Sequence, residues 1–248
     1  MIDIHAHILP EVDDGSDSLE SSLEMADMAV RSGVKAIVAT PHCNIPDGEC
    51  IRDAQMMHEE VLAFRQALSE YRIPLKIYEG MEIFGAENTV ERFYAKELTT
   101  LNRTVYPLVE FPFAYYADEA TDLLRDLISM KLRPIVAHPE RYDYVLQEPT
   151  LLNRWFSMGC YLQVNRGSLL GRFGEQIEDL SFSMLERGFI SFIASDAHSP
   201  EFRMTWMQDV KEMVTEEMGA ENAHVLLTVN PSRMLSNLNI EREDPLWF

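Results

Sequence analysis

Short apolar runs, each ending in a polar or ionisable residue, recur along this chain and alternate with stretches of helical periodicity. This alternation restricts the fold more than any other feature. Ile2-Asp3-Ile4 leads into His5-Ala6-His7 and then Asp13-Asp14-Gly15. The run at 35–40 ends in Pro41-His42, the run at 75–78 leads into Gly80-Met81-Glu82, and the run at 105–109 ends in Glu110. Residues 134–137 lead into His138-Pro139-Glu140-Arg141, 161–164 into Asn165, and 189–194 into Ser195-Asp196-Ala197-His198. Near-continuous apolar runs of this length, bounded by Gly and Pro, read as buried parallel strands.

The intervening segments carry apolar residues at helical spacing. Leu19, Leu23, Ala26 and Val30 follow Asp17-Ser18-Leu19-Glu20, which resembles a capping box with Asp17 as N-cap, and Gly33 suits the stop. Met57, Val61, Phe64 and Leu68 mark a helix over 53–71, with Pro74 breaking it. Further helices are expected near 88–96, 117–130, 150–158, 175–187, 203–218 and 221–227, with a turn after Asn230-Pro231. About seven β-α units result, and this repetition favours an α/β, TIM-like closed barrel over an open sheet. No linker or internal repeat divides the chain, so a single domain over 1–248 is expected.

In a parallel barrel the C-terminal strand ends share one face, where active sites are built. His5, His7, His42, Glu82, Glu110, His138, Asp196 and His198 all fall at such ends. Five of the seven histidines are among them, while His58 and His224 read as ordinary helix-face residues. Any one of these side chains has a bland explanation as a loop cap, but their convergence points to a metal centre. Imidazole mixed with carboxylate suits Mn²⁺, Fe²⁺ or Zn²⁺ better than Ca²⁺. One cation needs three or four of these ligands, so the surplus implies a polynuclear site bridged by a carboxylate such as Glu82.

Composition narrows the partners. With 21 Lys+Arg against 41 Asp+Glu, the net charge of −20 repels nucleic acid and anionic membrane surfaces. Most of that excess is explained as a solvated acidic surface. No secretory leader and no membrane-length apolar run is present, so a cytoplasmic protein without membrane insertion is expected. Cys43, Cys50 and Cys160 are too few and ill-spaced for a disulfide framework, and reduced thiols are expected. Cys43, beside His42, is kept as a minor candidate ligand.

Taken in order, His5-Ala6-His7 with Asp13-Asp14-Gly15, Thr40-Pro41-His42, Gly80-Met81-Glu82, Glu110-Phe111-Pro112, Ala137-His138-Pro139-Glu140-Arg141 and Ser195-Asp196-Ala197-His198 resemble the polymerase-and-histidinol-phosphatase (PHP) superfamily. Within it they resemble the manganese-dependent protein-tyrosine phosphatases of bacterial capsule and exopolysaccharide operons. The resemblance runs from Met1 to about Leu235 and implies the PHP fold, a distorted (β/α)7 barrel, with three divalent metal ions. It implies one cation held by His5, His7, Glu82 and Asp196, a second by Glu82, Glu110 and His138, and a third by Asp14, His42 and His198. Arg141 and Arg203 match positions that contact substrate phosphate. The implied substrate is a phosphotyrosine protein, a tyrosine kinase controlling polysaccharide export. Some relatives form oligomers, and a homo-oligomer is left open here.

Phosphate-monoester hydrolysis needs strong electrostatic stabilisation of the transferring group. The expected mechanism is in-line attack by a hydroxide bridging two metals, while the third metal and Arg141 hold the phosphoryl oxygens. A phenol leaves with little protonation, and Asp14 or a metal-bound water is the candidate donor. Alternatively the arginines are surface residues paired to neighbouring acids. Cys160 and Arg166 match the Cys-x5-Arg spacing of thiol phosphatases, but the residues between them read as a strand that separates the two. Phe111, Phe113, Tyr115 and Tyr116 either line the mouth around a phosphotyrosine ring or pack beneath the rim. Competing functions are a small-molecule phosphomonoesterase such as histidinol phosphatase, a nucleotide phosphoesterase, and a non-catalytic metal-stabilised regulatory module. The terminal Pro245-Leu246-Trp247-Phe248 is expected to dock on the barrel.

Overall fold

The computed structural model describes residues 1–46, 53–114 and 117–248. Its first elements are β1 (Ile2–Ala6), α1 (Leu19–Arg31), β2 (Ala36–Ala39), β3 (His42–Cys43) and α2 (Ala54–Glu70). These are followed by β4 (Lys76–Glu79), β5 (Glu82–Phe84), α3 (Thr89–Tyr94), β6 (Leu108–Glu110), α4 (Ala117–Ser129) and β7 (Ile135–Ala137). Then come α5 (Asp143–Gln147), α6 (Thr150–Met158), β8 (Tyr161–Asn165), α7 (Arg166–Leu169), α8 (Glu175–Glu186) and β9 (Phe192–Ala194). The chain closes with α9 (Gln208–Met218), α10 (Ala220–His224), a π-helical turn over Val225–Val229, and α11 (Asn230–Leu235).

Every strand pairing is parallel, in two sheets ordered β1-β2-β4 and β3-β5-β6-β7-β8-β9. β3 continues β2 beyond Thr40-Pro41, and β5 continues β4 beyond Gly80-Met81, so the second and third staves belong to both sheets. A parallel bridge between Ala6 and Ala197 joins the first stave to the last. The described residues thus form the distorted (β/α)7 barrel of the sequence expectation, with the distortion at the two broken staves. Pro41 has no N–H for a ladder, which locates the first break. Its carbonyl accepts from the Glu82 N–H at 3.1 Å instead. At Gly80 a Cβ would come within 2.8 Å of both Leu101 and Val38, so glycine is required where the second break passes over the interior.

The barrel interior is filled by Ile4, Val38, Leu108, Ile135, Ala137, Tyr161, Phe192 and Ala194, with Met234 and Ile240 in the same cluster. A larger apolar layer lies between barrel and helices and includes Ile37, Ile83, Val109, Val136, Leu162 and Ile193. Period-two alternation accounts for both sets. It also sends Glu110, two residues after Leu108, to the inner face. On β1 the alternation breaks: Ile4 belongs to the inner cluster and Ala6 to the outer one, and the register with β2 shifts between Asp3 and Ala6. This bulge turns both His5 and His7 toward the barrel mouth.

Several boundaries depart from the sequence reading. Ser18, not Asp17, caps α1, because its side chain accepts from the Ser21 N–H. The helix expected from Arg203 begins only at Gln208; the Arg203 carbonyl instead accepts the N–H groups of His198 and Ser199, closing a loop. The turn expected after Asn230 is the helix α11 with Pro231 in its first turn, where a missing N–H costs little. Phe248 packs on Phe189 with ring centroids 5.1 Å apart, Trp247 stands edge-on to Phe156, and the Leu246 N–H donates to the Arg187 carbonyl, so the tail docks as expected. Cys43 and Cys160 are buried and in no disulfide, while Cys50 lies outside the described residues. Among the described residues no helix is long and apolar enough to cross a membrane.

Candidate metal centre

At the C-terminal mouth three compact donor groups adjoin one another. In the first, His5, His7, Glu82 and Asp196 each offer one atom within 4.8 Å of all the others, and all four are buried. The two Nε2 atoms are 3.3 Å apart; Glu82 Oε2 lies 3.2 Å from His5 and 3.1 Å from His7, and Asp196 Oδ1 lies 3.4 and 3.6 Å from them. A second group joins Glu82, Glu110 and His42, whose Nδ1 is 3.1 Å from Glu82 and 2.8 Å from Glu110. The third unites Asp14, His42, His198 and His7. Asp14 Oδ1 is 3.5 Å from His42 Nε2 and 3.4 Å from His198 Nε2.

These groups resemble the ligand sets implied by sequence, with two differences. His138 faces Glu82 at 2.9 Å and Glu110 at 3.9 Å, but the compact group around those carboxylates takes His42. His7 joins the Asp14 group as well as the first. Cys43, beside His42 on β3, belongs to none of the three.

The donor chemistry fits divalent cations. His5 Nδ1–H donates to Gln163 Oε1 at 2.9 Å and His7 Nδ1–H to Asp13 Oδ2 at 2.6 Å; these acceptors assign the tautomers. Both Nε2 lone pairs then converge on one point beside two carboxylates. Asp196 Oδ1 is buried there without a hydrogen-bond partner. Crowded lone pairs repel unless a proton or a cation sits between them.

Protons fill that role in the metal-free arrangement. Burial opposes a charge on His7, yet Asp13 and Glu82 raise its pKa to about 10. Burial likewise opposes charge on His42, and Glu82 and Glu110 push it to about 12. His5 also rises, its burial outweighed by Glu82 and Asp196. Burial would raise the carboxyls of Glu82 and Asp196, but the imidazoles, and Arg203 for Asp196, hold both below the ordinary range. Asp14 is lowered chiefly by its hydrogen bond from His198. His198 alone moves down, through burial and the nearby His7 charge.

Backbone geometry supplies part of this convergence. His138 follows the inward Ala137, so alternation alone would turn it outward; its φ of 32° reverses the direction. Asp196 has a φ of 50°. Left-handed backbone costs a non-glycine residue roughly 1–2 kcal/mol and concentrates at functional sites. Gly15 packs its backbone directly on His7, where a Cβ would fall 2.3 Å from the His7 carbonyl oxygen.

Three supporting side chains were not singled out by sequence. Asp13 orients His7. On β8, Gln163 accepts from His5 and donates to Asn165 Oδ1 at 2.8 Å, and Asn165 donates to Asp196 Oδ2, so one hydrogen-bonded chain braces two members of the first group. The available signal was alternation from the inward Tyr161, which sends 163 and 165 to the same face. Gln163→Leu is therefore expected to weaken metal affinity by about 10–100-fold, read by titration with Mn²⁺. Unchanged affinity would remove the brace from the account.

Arg141 lies between Phe113 and Phe173, with its Cζ 4.8 and 4.6 Å from the ring centroids, and its Nη1 is 3.3 Å from Asp196 Oδ2. Arg203 pairs with the same carboxylate, and its Nη1 lies 3.1 Å from His198 Nε2. Both arginines therefore border the cluster. Phe111 is fully buried, stacked on Trp155 with its N–H donating to the Tyr142 hydroxyl, so it packs beneath the rim. Phe113 is half exposed at the mouth, and Tyr115 and Tyr116 lie outside the described residues. Cys160 is buried before β8, which raises its thiol pKa to about 12 and leaves no thiolate for attack.

The family described as capsular polysaccharide synthesis, CpsB/CapC, matches residues 1–236. The chain is 36% identical over 245 residues to the tyrosine-protein phosphatase YwqE of Bacillus subtilis, covering 99% of this chain and 95% of that one. It is 31% identical over 240 residues to the tyrosine-protein phosphatase CpsB of Streptococcus pneumoniae, covering 95% and 98%. A crystal structure from work on those two proteins, described as unique metal-dependent tyrosine phosphatases, superposes with a TM-score of 0.94 at 35% identity, covering 100% of this chain and 99% of that one. Matched over nearly its whole length by that model and by these relatives, the chain belongs to the CpsB/CapC family of capsular polysaccharide synthesis.

Proposed function

We propose that this chain is a metal-dependent protein-tyrosine phosphatase that hydrolyses phosphotyrosine on a protein, a bacterial tyrosine kinase governing capsular or exopolysaccharide synthesis. The observation that carries this reading is the contiguity of three His/carboxylate groups, linked through Glu82, His7 and His42, with Arg141 and Arg203 at their edge. The full-length likeness to phosphatases described as metal-dependent supports it. We assign three divalent cations, Mn²⁺ before Fe²⁺ or Zn²⁺, to the site. The ligands are His5, His7, Glu82 and Asp196; Glu82, Glu110 and His138; and Asp14, His42 and His198. When bound, such cations supply positive charge to the phosphoryl oxygens and lower the pKa of water.

The chain's own groups do the remainder. Arg141, its Cζ near the Phe113 and Phe173 rings, presents a planar fork to phosphate oxygens, and Arg203 adds a second cation beside it. Glu82 offers Oε1 toward His138 and Oε2 toward His5, His7 and His42, the disposition of a bridging carboxylate. The low pKa of Asp14 suits it to holding a cation better than to donating a proton. A phenol, with a pKa near ~10, leaves without much assistance.

Substrate class is tested by comparing hydrolysis of a phosphotyrosine peptide, a phosphoserine peptide and histidinol phosphate by the manganese-loaded protein. Preference for the phosphotyrosine peptide is expected; preference for histidinol phosphate would overturn the reading. The raised pKa values of His7 and His42 give a second expectation. Both imidazoles are protonated at neutral pH without metal and must surrender a proton to ligate, so affinity falls as pH falls. Calorimetric titration with Mn²⁺ in two buffers of different ionisation enthalpy should show net proton release, and none released would contradict this.

A further inference from the structure

Beside the metal cluster lies a cavity of about 190 Å³ walled by Arg166, Arg172, Phe173, Ser195, Phe202 and Arg203. Three arginines lining one small cavity are unexpected in a chain of net charge −20. Their hydrogen-bonding capacity is incompletely used. Arg166 is buried and donates through Nε and Nη2 to Asp209, leaving Nη1 without a hydrogen bond among the described residues. Arg203 is held by Asp196 and His198, while its Nε is buried without a partner. Arg172 is exposed and makes no ion pair among the described residues. Gly167 lets the Phe173 ring close on this wall, since a Cβ there would lie 2.8 Å from it.

The cavity adjoins the metal cluster through Ser195, Arg203 and Phe173. Ser195 precedes Asp196, Arg203 borders both, and the Phe173 ring carries Arg141 at 4.6 Å. A phosphotyrosine whose phosphate reaches Arg141 and Arg203 brings flanking residues, spaced ~3.5 Å apart along the chain, over this wall. Phe202 is 76% exposed there and offers an apolar surface to such a backbone. Small-molecule sites run to roughly 300 Å³ or more, so this cavity suits a single side chain. Guanidinium groups with free N–H donors select a carboxylate.

We infer that this cavity is a specificity subsite that takes the carboxylate of an Asp or Glu flanking the phosphotyrosine, with Arg172 as its uncompensated charge. The inference rests on the phosphatase reading for its substrate, and it concerns sequence preference rather than chemistry. The acidic surface opposes an acidic peptide at long range, but at physiological salt that field is screened beyond about 8 Å and the local contact decides.

The test uses two peptides bearing a non-hydrolysable phosphonate analogue of phosphotyrosine, flanked on both sides by Glu or by Gln, together with their hydrolysable counterparts. Binding to the metal-loaded protein is measured for the unaltered chain and for Arg172→Gln. The unaltered chain should bind the Glu peptide about fivefold more tightly, and Arg172→Gln should erase that ratio. Because a ratio is read within each protein, general damage to the variant cancels. Equal affinity for the two peptides, or a preference that survives Arg172→Gln, would overturn the subsite. A Glu preference in the unaltered chain that Arg172→Gln erases, with no turnover of the hydrolysable peptides by the unaltered chain, would support the subsite and overturn the phosphatase reading instead.

Discussion

Glu82→Gln should lower phosphotyrosine hydrolysis by about 10³-fold and strip metal from the site. Glu82 is fully buried and faces four imidazoles: His5 at 3.2 Å, His7 and His42 at 3.1 Å, and His138 at 2.9 Å. It is common to two of the three donor groups, so its loss removes a ligand from each. Loss of several kcal/mol of charge stabilisation at the transferring phosphoryl corresponds to a factor near 10³. The variant also leaves several imidazoles without their main counter-charge, which threatens folding in the metal-free protein. Thermal melts and metal analysis therefore accompany the kinetics. A folded Glu82→Gln protein with ordinary metal content and turnover would contradict the assignment.

Arg141→Ala should lower kcat/KM for a phosphotyrosine peptide by roughly 10²–10³-fold while metal content stays near that of the unaltered protein. The guanidinium is only partly exposed, in cation–π contact with Phe113 and Phe173 and paired with Asp196. That preorganisation is why the effect should approach that of losing a fixed transition-state donor rather than a mobile surface charge. Arg141→Lys keeps the charge but loses the planar fork and the stacking, and should recover only part of the rate. Full recovery by lysine would show that point charge, not geometry, is what Arg141 supplies. Loss of metal in Arg141→Ala would reassign the residue to holding Asp196.

Much of the barrel was legible because strand ends carry their own signal. Apolar runs ending in His42, Glu82, Glu110, His138 and Asp196 located the mouth, and parallel-sheet geometry brought residues from remote parts of the chain to one face. The β1 bulge was partly legible too, because two histidines at i and i+2 at a strand end turn both imidazoles toward one point if the backbone bends just after the first. The supporting shell was not. Gln163 lies 158 positions from His5, and no local pattern distinguishes a strand glutamine that fixes a tautomer from one that merely packs. The αL backbones of His138 and Asp196 were hidden for a related reason: local propensity disfavours them, and the surrounding structure imposes them. Helical periodicity from Arg203 hides the loop before the helix, where the Arg203 carbonyl is engaged by His198 and Ser199 and the helix begins only at Gln208. The Phe111 and Phe113 pair shows where composition stops helping, since one is core and the other is rim.

Whether the convergent histidines and carboxylates hold the divalent metal on which phosphotyrosine hydrolysis depends is decided by measuring metal content and phosphotyrosine turnover together, before chelation, after exhaustive chelation, and after return of Mn²⁺. Loss of turnover in step with loss of metal, and its recovery on adding Mn²⁺, is the expected result. Undiminished turnover in protein shown by elemental analysis to be free of metal would contradict the account.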